Sequence, residues 1–146
     1  MSLNGSIHDP SSLDEQAYAL QRHTDVAHRQ AEQSAVYAAD LKYRLDEIKT
    51  ALKDAIANDP RFTNDSKRTA EVARRLQADY RDLVDDETTA SRTARVDWSE
   101  LERSQQALKT TLIRLRHQTA LIELEAARVG LEAAQASMPR LNVRTR

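Results

Sequence analysis

Two groups of residues in this sequence have the types and spacing to do chemistry. Asp25, His28 and Glu32 recur at i, i+3 and i+7, which sets an imidazole and two carboxylates on one helix face, within reach of a common metal ion. The same three residues also make an ordinary solvated polar face. That is the reading adopted, so neither a metal nor a cofactor is expected. His23 and His117 have no ligand-type neighbours at helical spacing, and His8 stands beside Asp9 near the start of the chain. The second group is basic: Arg61, Lys67, Arg68, Arg74 and Arg75, with Phe62 among them. Clustered cations for phosphate contacts with one aromatic for base stacking suit a single nucleic-acid strand. The competing reading pairs the same cations with Glu71, Asp79 and Asp82 on an exposed helix.

No Gly-rich phosphate loop, nucleophile elbow or HExxH motif accompanies these groups. The chain has no Cys, which removes thiol chemistry, disulfides and zinc knuckles, and which fits a reducing compartment. No enzyme activity is expected. The net charge of −1 gives the whole molecule no attraction for nucleic acid, but the charge is unevenly spread. Residues 1–60 carry a net −4, residues 61–100 a net −1 and residues 101–146 a net +4. Arg103, Lys109, Arg114, Arg116, His117 and Arg128, with Arg140, Arg144 and Arg146, form a second basic region that an assembly would repeat.

The elements that must position these residues are helices. Two Gly and 3 Pro in 146 residues are too few for a turn-rich fold, and 4% aromatics are too few for a thick core. Leu13, Ala17, Leu20, Thr24, Ala27, Ala31, Ser34, Ala38, Leu41, Leu45, Ile48, Leu52 and Ala55 alternate by four and three, the seam of a helix over about 12–57. Ser12 with Glu15 reads as its capping box, and residues 1–11 as an extended arm. Asn58-Asp59-Pro60 ends it. A second helix is expected over about 66–136, capped at Ser66, with Asn64 and Asp65 as competing caps. Its seam runs through Leu76, Tyr80, Leu83, Glu87, Ala90 and Ala94. A stutter at Trp98 follows, then Leu101, Gln105, Leu108, Leu112, Leu115, Thr119 and Ile122. Tyr80 and Trp98 are expected as core knobs, with a kink or break near 85–90, where Asp85-Asp86-Glu87-Thr88-Thr89 disfavours helix. Residues 139–146 read as a basic tail.

The fold expected is therefore all-α, a long antiparallel, coiled-coil-like hairpin forming one domain over 12–138, since the short connection forces the second helix back along the first. Helix one cannot cover the far part of helix two. Leu108, Leu112, Ile113, Leu115, Leu121, Ile122, Leu124 and Val129 are too broad an apolar surface for one seam and are assigned to a homo-oligomer contact. Tyr37 and Tyr43, off the seam, are further contact candidates. No stretch reaches the ~20 apolar residues of a membrane span, and the start MSLNGSIHDP has no signal-peptide pattern, so a soluble, cytoplasmic protein is expected.

Several segments have a familiar order. Tyr37-Ala38-Ala39-Asp40-Leu41-Lys42 leads through Leu45-Asp46-Glu47-Ile48-Lys49-Thr50-Ala51-Leu52 into Asn58-Asp59-Pro60. Lys67-Arg68-Thr69-Ala70-Glu71 and Ala78-Asp79-Tyr80 follow, then Gln105-Gln106-Ala107-Leu108-Lys109-Thr110-Thr111-Leu112-Ile113. Over about residues 15–118 this resembles the UvsY-type phage recombination mediators. The resemblance implies a non-enzymatic, oligomeric protein that binds single-stranded DNA and helps load a recombinase onto strands coated by single-strand-binding protein, in the host cytoplasm. It carries Lys67 and Arg68, and Arg74 more loosely, over as DNA contacts; Arg61 joins them from the basic cluster. The slightly acidic net charge departs from that pattern, and residues 119–146 lie beyond it. The reading set against it is a virion or scaffold component whose hairpins pack only on one another and bind no nucleic acid. An adaptor presenting a helix face to a host protein is a third.

Overall fold

The computed structural model describes residues 10–138, and among these there are three helices and no strand. They are α1 (Pro10–Ala57), α2 (Asp65–Asp79) and α3 (Arg81–Ser137). α1 and α3 pack against each other as the expected antiparallel hairpin. The arm before residue 10 and the basic tail with Arg140, Arg144 and Arg146 lie outside the described residues.

The chain divides into two compact units, Arg22–Gln105 and Met1–Gln21 with Gln106–Arg146. A two-helix seam is one layer thick, so each part of it touches only its neighbours along the helices.

In the unit of residues 22–105 the α1 seam is buried almost as spaced. Thr24, Ala27, Ala31, Ala38, Leu41 and Leu45 are buried, and Ser34, Ile48 and Leu52 are half-buried. The last step differs. Ala55 is exposed and Ile56 is 1% exposed, because a four-residue step from Leu52 turns the larger side chain into the core around Leu45, Val72 and Leu76. Ala38 and Leu41 pack with Ala90 and Ala94, and Ala27 and Ala31 with Leu101. Small residues on both helices allow the backbones a close approach there.

On α3 the seam is more regular than expected. Leu83, Glu87, Ala90, Ala94, Asp97, Leu101 and Ser104 are its buried and half-buried positions, at unbroken four–three spacing. There is no stutter. Asp97 takes the position expected of Trp98, which is 43% exposed, and Ser104 takes that of Gln105. A search for the most apolar residue at each step misses this, because the real seam accepts Glu, Asp and Ser where a partner is within reach.

The long second helix is interrupted at Tyr80, not near 85–90. Tyr80 leaves the helical region (φ −129°, ψ 25°), yet its N–H still reaches the Leu76 carbonyl at 3.0 Å. Its own carbonyl accepts from the Val84 N–H at 3.1 Å. The chain bends there with little loss of hydrogen bonding, and Tyr80, at the bend, is 37% exposed rather than a core knob. Residues 85–89 stay helical. The Thr88 hydroxyl donates to the Val84 carbonyl, and the Ser91 hydroxyl to Glu87.

The caps also differ from expectation. α1 is already helical at Pro10, so Ser12 lies inside its first turn; proline suits a first helical position, where no N–H is needed. Of the competing caps of α2 it is Asn64 rather than Ser66 that serves, its side chain accepting from the Lys67 N–H at 2.8 Å.

In the second unit Leu13 and Ala17 of α1 and Thr111 of α3 are buried, with Leu20, Leu108, Leu115 and Gln118 half-buried. Thr111 replaces the expected Leu112, and Gln118 the expected Thr119. Every residue from Thr119 to Met138 is exposed.

Candidate nucleic-acid interface and exposed apolar face

The hairpin tip is built by hydrogen bonds around Asp59. Its N–H closes onto the Ile56 carbonyl at 3.0 Å and its carbonyl accepts from the Phe62 N–H at 3.1 Å. Its side chain accepts from the Arg61 N–H at 3.0 Å and from the Arg61 guanidinium at 2.7 Å. These bonds from Arg61 hold the Asp59 carboxyl down at about 2. Phe62 folds back on the core and packs with Leu45, Ile56, Val72 and Leu76. Its ring is half-buried and the Arg61 guanidinium lies 5.6 Å from its centroid. Phe62 is therefore a core residue with one face already engaged, and not an open platform for a base.

The four expected DNA-contact residues differ in how free they are. Arg61 is paired to Asp59. Arg68 is half-buried, donating from Nε to the Phe62 carbonyl at 3.2 Å, with Asp65 3.6 Å from its Nη1. Arg74 makes a two-point contact with Glu71 at 2.9 and 2.8 Å. Arg75 meets the same carboxylate at 2.8 Å, and the two guanidinium groups together hold the Glu71 carboxyl down at about 2. Lys67 is exposed, and its ammonium has no partner among the described residues. The expected pairing with Glu71 is thus present. Glu71 is legible in the sequence as a partner; Asp59 is a further one, and its position two residues before Arg61 is the signal for the turn that pairs them.

The second basic region is also mixed. Arg103 faces Glu100 at 3.4 Å, and Arg128 lies between Glu125 and Glu132. Lys109, Arg114 and Arg116 are exposed without carboxylate partners among the described residues.

On the α1 face first considered for metal, His28 Nδ1 lies 3.5 Å from Glu32. Among the described residues no three His, Asp or Glu side chains gather as a metal site. Tyr37 and Tyr43 are exposed on α1, and the neighbouring Glu47 raises the Tyr43 phenol pKa through its hydrogen bond and charge.

The apolar residues assigned to an oligomer contact fall into two sets. Leu108 and Leu115 are half-buried at seam positions of α3. Leu112, Ile113, Leu121, Ile122, Leu124 and Val129 are exposed, from 39% at Leu112 to 67% at Leu124. Leu131 at 60% extends this set and is missing from the sequence-derived one. No helix among the described residues is long and apolar enough to cross a membrane. No protein family, curated protein or solved structure matches this chain.

Proposed function

We propose that this protein is a non-enzymatic, cytoplasmic homo-oligomer of helical hairpins, acting as a structural or assembly component. The observation that carries this reading is the exposed apolar run of α3, where Ile113, Leu121, Ile122, Leu124, Val129 and Leu131 are all at least 52% exposed in the single chain. That much clustered aliphatic surface is costly in water and is relieved by association. Mass measurement in solution tests it: the wild type should be larger than one chain, and Ile113→Glu with Ile122→Glu should reduce its size. A monomeric wild type at micromolar concentration overturns the reading.

A second reading is binding of single-stranded DNA, as in a recombination mediator with a recombinase and single-strand-binding protein as partners. Lys67 favours it, because an unpaired ammonium stands in the first turn of α2, where free N–H groups also favour phosphate. Against it, Arg61 and Arg74 already hold carboxylates and Phe62 is engaged. A salt series separates the readings. A mediator binds single strands at low salt, loses affinity steeply as salt rises, and shows a shallower slope in Lys67→Ala with Arg68→Ala. A purely structural assembly shows no binding at any salt.

A further inference from the structure

α3 carries a second four–three seam on the side opposite the one it turns to α1. Ile113, His117, Ala120, Leu124, Ala127, Leu131, Ala134 and Met138 are spaced 4-3-4-3-4-3-4, and all eight are exposed. Ile113 sits roughly 180° around the helix from the row of buried Thr111 and half-buried Leu108, Leu115 and Gln118, at about 100° per residue. The row spans about 38 Å at 1.5 Å per residue. A helix with one seam needs one partner; a helix with two opposed seams needs a second.

We infer that the occupant of this second seam is α3 of another copy, running antiparallel about a two-fold axis between residues 125 and 126. This rests on the homo-oligomer reading above and gives it a geometry. The argument is self-complementarity. Turned end for end about that axis, the row meets itself with Ile113 opposite Met138, His117 opposite Ala134, Ala120 opposite Leu131 and Leu124 opposite Ala127. Each of those last three layers sets a large side chain against an alanine, so volume is constant along the contact and the backbones approach closely. The intramolecular seam uses the same device where Leu101 lies on Ala27 and Ala31.

The flanking positions agree. In this register Arg114 falls beside Gln135 of the second copy, Arg116 beside Ser137, Glu123 beside Gly130 and Arg128 beside Leu121. No like charges oppose one another. A parallel pairing packs worse, because it stacks Ala on Ala and Leu on Leu in alternate layers. A two-fold contact with the same patch on both sides is also closed, so it gives a defined pair rather than a filament.

The chain has no cysteine, so single reporters can be placed without background. Ala120→Cys and Leu131→Cys, purified separately and mixed under mild oxidation, should form the mixed disulfide in large excess over either homodisulfide. In the proposed register residue 120 faces 131, and two copies of 120 lie about 16 Å apart along the axis. Homodisulfides of each variant with no mixed product mean a parallel pair and overturn the inference. An oligomer that forms no disulfide at these positions uses another face, which overturns the inference and leaves the homo-oligomer reading standing. A monomer overturns both. As a second variant, Leu124→Glu with Leu131→Glu should weaken self-association by ~100-fold or more while helix content is kept. An unchanged oligomer overturns the inference.

Discussion

Ser34 of α1 donates its hydroxyl proton to Asp97 of α3 across the hairpin seam, and the Gln30 side-chain amide reaches the other carboxylate oxygen at 3.4 Å. The contact sits between the layer of Ala27, Ala31 and Leu101 and the layer of Ala38, Leu41, Ala90 and Ala94. Ala-rich layers look alike, so a slip of one heptad would cost such a seam little in packing. A half-buried carboxylate that finds its donor in only one register raises that cost.

Ser34→Ala should therefore lower stability by about 1–2 kcal/mol, the usual range for a hydrogen bond to a charged group that is partly shielded from water. The check is a urea titration, with a lower midpoint at an unchanged slope. An unmoved midpoint would show that water serves Asp97 as well as Ser34 does.

Leu101 is 1% exposed and is met by Ala27 and Ala31, which is 0% exposed. Leu101→Ala should cost about 2–4 kcal/mol, because alanines facing the hole have no reach to refill it. Ala31→Leu should also destabilise, by about 1–3 kcal/mol, through forced separation of the helices. Thermal unfolding of both variants should show lowered midpoints; tolerance of Ala31→Leu would mean the helices stand further apart in solution.

The tip should be sensitive to acid. Asp59 and Glu71 each titrate at about 2 in the folded chain, against ~3.9 and ~4.3 when unfolded. The folded state then binds fewer protons than the unfolded state between those values. The stabilisation is complete above about pH 5 and is lost as the pH falls through 4 toward 2. Asp59→Asn with Glu71→Gln should flatten the acid limb of a stability–pH curve. An acid limb identical to wild type would mean that other carboxylates control it.

Gly130 lies inside α3 with open space where a Cβ would sit. Gly130→Ala should stabilise the helix by about 0.5–1 kcal/mol. Amide exchange over residues 121–137 should slow most clearly in the Leu124→Glu, Leu131→Glu background, where no second copy covers this stretch. No slowing there would mean that residue 130 does not limit the helix.

What the sequence determined by itself was the helical hairpin and the face α1 turns inward. The four–three row from Leu13 to Leu52 needs no tertiary information, since an unbroken apolar period can be satisfied by only one face of a helix. Asn58-Asp59-Pro60 likewise marks the turn. The tertiary structure decided which polar residues share the seam. Asp97, Ser104 and Thr111 cannot be told from surface residues by type, and they enter the seam only because α1 fixes the phase of α3. It also decided that Arg61 and Arg74 spend their charge on Asp59 and Glu71, a pairing that depends on rotamers and on a turn closing, not on spacing alone. The break at Tyr80 was equally out of reach. Helix propensity points to residues 85–89, but packing of Leu83 and Ala90 on either side holds those residues helical, and the bend falls instead at Tyr80, in the stretch between the packed Leu76 and Leu83.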